Sequence, residues 1–198
     1  HTDSPPIFRY RMQCFERLAC LQPARKPNSG VSLPTEDDIK RIEETWAVVK
    51  TLPAKTVGGL LFKHIFKKAD VSALFSFGRN PGFDPNPEAV QTNEDVMRHG
   101  AKVVQMVSAA VGLLRDLGKL TPVLKELGAK HAKYGVVAAH YPVVGAAFID
   151  TLKDGLQEAF TPEVCSAYTA MWGVVQATML AGVQEAEAAE AAAKAGGK

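Results

Sequence analysis

Apolar residues recur every three to four positions along most of this chain, and this spacing limits its fold more than any other feature. The first clear stripe is formed by Ile39, Ile42, Trp46 and Val49. Comparable stripes continue to about residue 184, and no segment alternates apolar and polar residues as a half-buried strand would. We therefore predict an all-α protein.

Composition divides the chain into three parts. Residues 1–33 are rich in proline and carry only short apolar pieces, which predicts an N-terminal extension that is partly ordered at best. Residues 34–184 carry the periodic pattern and are expected to form one domain. Residues 185–198 are rich in Ala and Glu without an apolar stripe, which predicts a solvated helical tail with a frayed end.

Local signals predict where the helices begin and end. Thr35, with Asp38 three positions on, resembles a capping box. Thr92 or Asn93 can cap a long helix that runs through Arg115. Residues 78–91 carry breaker residues throughout and are predicted to be a loop. The other expected features are helices opened by Pro53, Thr121-Pro122 (residues 124–134, stopped by Gly135), Tyr141-Pro142 and Thr161-Pro162, and a short piece from Val71 to Phe75.

Charge and cysteine content exclude several classes of protein. The chain has 23 Lys and Arg against 21 Asp and Glu, and its net charge of +2 does not predict binding to nucleic acid or to an anionic membrane. Membrane contact is therefore not expected. Cys14 and Cys20 could pair, but with Cys165 the count is odd and no CxxC occurs, which favours free thiols. With no signal-peptide pattern at the start, we expect a cytoplasmic protein.

Candidate chemistry rests on histidines, because no Gly-rich phosphate loop, HExxH or CxxC is present. His99 and His131 each lie on the apolar stripe of a predicted helix. His64 lies among lysines and is expected to be exposed, and His140, at a helix start, is expected to be structural or exposed.

Two such histidines on successive helices can face each other across an apolar slot and bracket a metal macrocycle. A structural zinc site needs four ligands, and no further Cys, His or carboxylate is spaced to complete one. Haem needs only one or two axial ligands and a large apolar pocket. The chain offers a suitable apolar set: Phe62, Phe66, Phe75, Val103, Val107, Leu127, Val136, Tyr141, Val144 and Met171.

The segments that carry these residues resemble the globin family, in family order, from Leu33 to about Glu185. They read EETWAVV, GGLLFKHIF, ALFSF, RHGAKVV, LGAKHAKYGV, HYPVVGAAFIDTL and YTAMWGVVQATM. The interval from His99 to His131 is most similar to that of neuroglobin-like, hexacoordinate globins. The chain departs from that branch at Phe77, where a Tyr is usual, in its N-terminal extension, and in a loop without cysteine.

The resemblance implies a globin domain over residues 34–184, a three-over-three helical sandwich around haem b. It implies that His131 binds the iron while its Nδ1–H is held by the carbonyl of Leu127. Phe75 would stack on the haem, and Lys102 would reach a propionate. His99 would either ligate the iron as a sixth ligand or hydrogen-bond a bound gas, and we favour ligation.

Two kinds of function follow from the resemblance. A bis-histidyl globin would bind O₂, NO or CO and serve a redox or NO-related role with a reductase as partner. The alternative is myoglobin-like, reversible O₂ binding, storage or sensing with five-coordinate haem. We find no dedicated catalytic residues, so NO dioxygenase, nitrite reductase or peroxidase activity would be a side activity of the iron. A helical interaction module without haem would require His99 and His131 to be core residues only.

Overall fold

The computed structural model describes residues 32–196, so most of the proline-rich extension (residues 1–33) and the last two residues lie outside the described part. Within that part the chain forms seven α-helices and no strand, which confirms the predicted all-α class. The helices are α1 (Glu36–Val49), α2 (Ala54–Lys68), α3 (Pro87–Thr92), α4 (Glu94–Gly112), α5 (Leu117–Lys133), α6 (His140–Leu156) and α7 (Pro162–Gly196).

Most helix ends lie where the cap residues predict. Thr35 and Asp38 form the capping box, in which the backbone N–H of Thr35 donates to the Asp38 carboxylate at 2.9 Å. The side chain of Asn93 accepts hydrogen bonds from two backbone N–H groups in the first turn of α4. Gly135 ends α5 with a φ of 82°, a conformation that glycine adopts without strain.

Three predicted boundaries are wrong. The segment 78–91 is not loop throughout, because Asn86 caps the short helix α3. Helix α5 begins at Leu117 instead of residue 124, because Asp116 accepts a hydrogen bond from the N–H of Lys119 and starts the helix a turn and a half before Pro122. Helix α4 ends at Gly112 and not at Arg115. The piece before residue 78 is a pair of 3-10 turns, Ser72–Leu74 and Phe77–Arg79.

The helices pack in two layers of three, with α1, α4 and α5 crossing α2, α6 and α7. The closest packing joins α5 to α7 and α4 to α2, and α2 also packs on α6. Helices α4 and α5, which carry His99 and His131, pack on the opposite layer and make little contact with each other in the described chain. This is the predicted three-over-three sandwich, in which the expected slot would lie between the two histidine-bearing helices.

Glycines allow both close crossings. A Cβ on Gly100 would lie 2.5 Å from the Cα of Gly58, so α4 and α2 touch backbone to backbone. A Cβ on Gly128 would lie 2.7 Å from the carbonyl carbon of Met179, so α5 and α7 touch in the same way. No side chain other than hydrogen fits at these points.

Helix α7 continues past the core as an exposed helix from about residue 184. Its Pro162–Lys194 segment is long and apolar enough to cross a membrane by length and composition, with 39% of its most apolar window buried in the protein. Its buried hydrophobic residues pack in the core: Val164, Cys165, Ala167, Tyr168, Met171, Val174, Val175 and Met179. Burial of these side chains is typical of a helix in the core of a folded domain.

Candidate functional site

His131 lies in the last turn of α5, and a hydrogen bond within its own helix fixes its ring. Its Nδ1 is 2.8 Å from the carbonyl oxygen of Leu127, one turn earlier. A carbonyl can only accept, so this contact places the proton on Nδ1 and leaves the lone pair on Nε2. The ring is half-buried, and its Nε2 is therefore available as a metal ligand with a set orientation.

His99 lies in the second turn of α4, within a cluster of aromatic rings. Its ring centroid is 5.5 Å from that of Phe62, 5.3 Å from that of Phe75 and 6.2 Å from that of Phe77. Burial lowers the pKa of His99, and the electrostatic interactions with Lys102 and His131 lower it further. His99 is thus held neutral, and a neutral imidazole has a lone pair that can bind a metal.

The apolar residues expected around the histidines fall into two groups by burial. Phe62, Phe66, Tyr141 and Met171 are buried in the core. Six others pack on the core but keep part of their surface uncovered: Phe75, Val103, Val107, Leu127, Val136 and Val144. These six come from α4, α5, α6 and the segments beside them, the elements that border the slot. Partly exposed apolar side chains on the elements that carry two half-buried imidazoles suit a flat apolar group such as haem.

Two buried hydrogen-bond donors lie at α6, beside the apolar residues described above. The hydroxyl of Tyr141 and the indole Nε1 of Trp172 are buried, and neither has a hydrogen-bond partner within the described residues. Burial raises the pKa of Tyr141, so its hydroxyl keeps its proton. Trp172 packs directly on Gly145, where any side chain would meet the indole. The sequence analysis predicted the apolar contribution of Tyr141 but neither of the two unpaired polar groups, because their pairing depends on three-dimensional packing.

A polar cleft of about 230 Å³ opens beside His99. Arg98 in this cleft pairs with Asp95 at 2.9 Å, whereas Lys102 is exposed one turn after His99. The cleft therefore carries positive charge next to the imidazole, at the place where the resemblance predicts a propionate contact for Lys102. Its lining residues are Ser76, Phe77, Asn80, Asp95, Arg98, His99 and Lys102.

The remaining described histidines have structural contacts. His64 was expected to be exposed, and this is wrong: its side chain is 12% exposed, and Nε2 lies 2.9 Å from the carboxylate of Asp154 on α6. Asp154 is 90 positions from His64 in the sequence, so this contact could not be predicted from the lysines beside His64. His140 accepts a hydrogen bond from the N–H of Val137 at 3.2 Å. No group of three or more His, Cys, Asp or Glu in residues 32–196 could hold a metal ion by itself.

Comparison with known proteins identifies the family. The globin family model matches residues 60–179, a range that contains both candidate histidines and all the slot residues. The flavohemoprotein of Bacillus subtilis (strain 168) is 32% identical over 119 residues, which cover 58% of this chain and 30% of that protein. The chain thus matches less than a third of the length of this relative. Together with the two-layer helical fold, the family match shows that the chain belongs to the globin family, whose members bind haem and, at its iron, diatomic gases.

Proposed function

We propose that this globin binds haem b between His131 and His99, so that both imidazoles ligate the iron when no external ligand is present. The observation that carries the proposal is the pair of half-buried imidazoles on α4 and α5, with partly exposed apolar side chains on the same elements. When bound, haem supplies an iron atom that binds O₂, NO or CO and changes its oxidation state.

The residues of the chain divide the work of holding the group. The Leu127 carbonyl fixes His131, so Nε2 points in one direction and the imidazole keeps its tautomer. Phe75 stacks on Phe77 at 4.8 Å with only 6° between the rings, which makes a rigid apolar wall that excludes water. Lys102, at the polar cleft, supplies a cation for an acidic edge of the bound group.

His99 is suited to act as the sixth ligand. Within the described residues its ring makes no hydrogen bond, and the three surrounding phenylalanines give it only apolar contacts. An internal ligand must leave before an external gas can bind, so the apparent affinity for the gas falls with the fraction of protein in which His99 is displaced. Such a site favours redox or NO-related chemistry over simple storage of O₂.

The relative supports a redox role. Its name describes a protein that carries both a flavin and haem. The residues that the globin family model matches include both proposed ligands and all the expected apolar residues around them. We infer that the iron of this chain receives electrons from a reductase, either another protein or another part of a longer chain. The likeness to neuroglobin-like globins stays a prediction that depends on the coordination state.

An absorption spectrum of the purified reduced protein, recorded with and without CO, tests the proposal. We expect a low-spin, six-coordinate spectrum that changes when CO binds. The substitution His99→Leu should convert it to a five-coordinate, high-spin spectrum and accelerate CO binding, since no internal ligand has to leave. The matched control His64→Gln, at the α2–α6 contact, should keep the parent spectrum.

A reduced parent protein that is already five-coordinate would contradict the bis-histidyl proposal. The same site would then act as a myoglobin-like O₂ binder, with His99 placed to hydrogen-bond the bound gas.

A further inference from the structure

The turn between α5 and α6 exposes a run of uncharged residues, which we call the corner patch (residues 134–139, YGVVAA). All of them except Val136, which packs on the core, are exposed. Tyr134 is 67% exposed and Val137 is 55% exposed. A group of neighbouring exposed apolar residues is typical of a surface that binds a partner.

The corner patch is connected to the proposed iron ligand through the backbone. The N–H groups of Tyr134 and Val136 both donate to the carbonyl of His131, at 3.0 Å and 3.2 Å. A short route of covalent bonds and hydrogen bonds therefore runs from the exposed patch to the residue that would bind the iron. Electrons cross proteins more readily along bonded routes than across gaps, so this turn suits the entry of an electron.

Positive charge borders the patch on the side of the two 3-10 turns. Leu74 lies against the patch, because a Cβ on Gly135 would be 3.8 Å from its Cδ2. The next turn carries the exposed Arg79, and the polar cleft beside it carries Lys102. Neither cation makes an ion pair within the described residues, and against the two stands one exposed acid, Asp70, at the start of the first turn.

The border at the end of α5 is also positive. Two acids on this side already have a cation partner, since Glu126 pairs with Lys130 at 2.6 Å and Glu190 pairs with Lys194 at 2.7 Å. Lys133, next to Tyr134, is exposed and makes no ion pair in residues 32–196, although it lies within electrostatic reach of Glu190. Unpaired cations thus outnumber unpaired acids around the patch.

We propose that the corner patch is the docking face for an acidic electron-donor protein, which would be the reductase of the proposed function. An apolar centre with a charged rim is the usual anatomy of a protein interface, and opposite charges speed the encounter of two proteins. A second copy would bring the same cations against each other. The extension (residues 1–33) carries five Lys and Arg against two Asp and Glu, so its charge does not complement the rim either. The inference rests on the proposed function, but docking itself does not need the iron.

An NMR titration of the full chain with a flavodoxin, used as an acidic electron carrier, tests the docking face. We expect saturable shifts of the amides of residues 133–139 that weaken as the salt concentration rises. Lys133→Glu and Val137→Ser should weaken binding several-fold. The matched controls are Lys40→Glu, exposed on α1, and Val123→Ser, 40% exposed on α5, and both should bind as the parent does.

Three results would overturn the docking face. The first is the absence of saturable shifts at the corner patch. The second is a set of shifts that depends on the concentration of the chain alone and is lost in Val137→Ser, which would assign the patch to a second copy. The third is shielding of the patch from a soluble gadolinium chelate before the flavodoxin is added, which would show that the extension covers it.

Reduction kinetics test the electron-transfer role. Each transfer moves one electron from the reduced flavin of flavodoxin to ferric iron, which becomes ferrous. Lys133→Glu, Arg79→Glu and Val137→Ser should slow this reduction several-fold, whereas free reduced lumiflavin, which needs no docking face, should reduce all variants at the parent rate. Flavodoxin rates that are equal in all variants would overturn the role. If the protein took up no haem, the proposed function would fail, and the titration would still decide whether the patch is a docking face.

Discussion

Replacing Gly128 with alanine should loosen the helix that carries the proposed iron ligand. The new methyl carbon would lie 2.7 Å from the carbonyl carbon and 2.8 Å from the Cα of Met179, and it would overlap the Met179 carbonyl oxygen. Ordinary van der Waals contact begins at 3.4 Å, and the obstructing atoms are backbone, which no rotamer change can move. Helix α5 must therefore separate from α7 by roughly 1 Å.

Two opposing effects set the size of the change. Forcing an extra methyl group into a packed contact costs about 1–3 kcal/mol or more. Alanine in place of glycine returns up to about 1 kcal/mol of helix stability. Gly112→Ala shares the second effect without the first, because a Cβ on Gly112 meets no atom within 4 Å. The difference in unfolding free energy between the two variants should thus be about 1–3 kcal/mol or more, with Gly128→Ala the less stable.

Urea unfolding of both variants gives this difference, and haem transfer to an acceptor protein gives its functional consequence. His131 is three residues after Gly128 and moves with α5, so Gly128→Ala should also release haem faster than its parent. If Gly128→Ala proves as stable as Gly112→Ala, the α5–α7 contact does not have the backbone-to-backbone geometry described above. Reduced stability with unchanged haem release would separate that contact from the placement of His131.

Three further changes test the site and the core. His131→Ala should purify with little haem, and a normal haem content would contradict its assignment as the iron ligand. Phe75→Ala should lower the free energy of unfolding by less than the about 3–5 kcal/mol typical of a buried Phe, because the ring is half-buried. It should also speed haem loss, and haem transfer as slow as in the parent would argue against a role of Phe75 in holding haem. Burial raises the pKa of Tyr168 to about 12, so the unfolded chain loses this proton at lower pH than the folded one, and stability should fall as pH rises from about 10 to 12. Tyr168→Phe should remove that part of the alkaline loss, and an unchanged pH profile would refute it.

Local features of the fold could be predicted from sequence, and features that join distant segments could not. The capping box at Thr35 and the cap at Asn93 depend on residues within one turn, and both lie where predicted. The start of α5 was missed because a single carboxylate, Asp116, outweighs the usual preference for proline in the first turn. Pro122 is accommodated inside the helix instead of opening it.

In the candidate site, too, local contacts could be predicted and contacts between distant segments could not. The bond from His131 to Leu127 spans four residues of one helix, so the resemblance could predict it. The burial of His64 against Asp154 could not be predicted, because the two residues are 90 positions apart. The apolar cavity of about 30 Å³ among α1, α2, α4 and α6 could not be predicted either, since its walls come from four helices and the turn after α1.

The placement of the two candidate ligands depends on residues that have no side chain. Gly100 adjoins His99 and lets α4 touch α2 at Gly58, and Gly128, one turn before His131, lets α5 touch α7. Each histidine-bearing helix is thus held close to a helix of the opposite layer, and not to the other histidine-bearing helix. Larger residues at these crossings would move each helix away from its support and into the slot, where the six partly exposed apolar side chains lie. Close packing between the layers would therefore keep α4 and α5 far enough apart for the flat apolar group that we propose between His99 and His131.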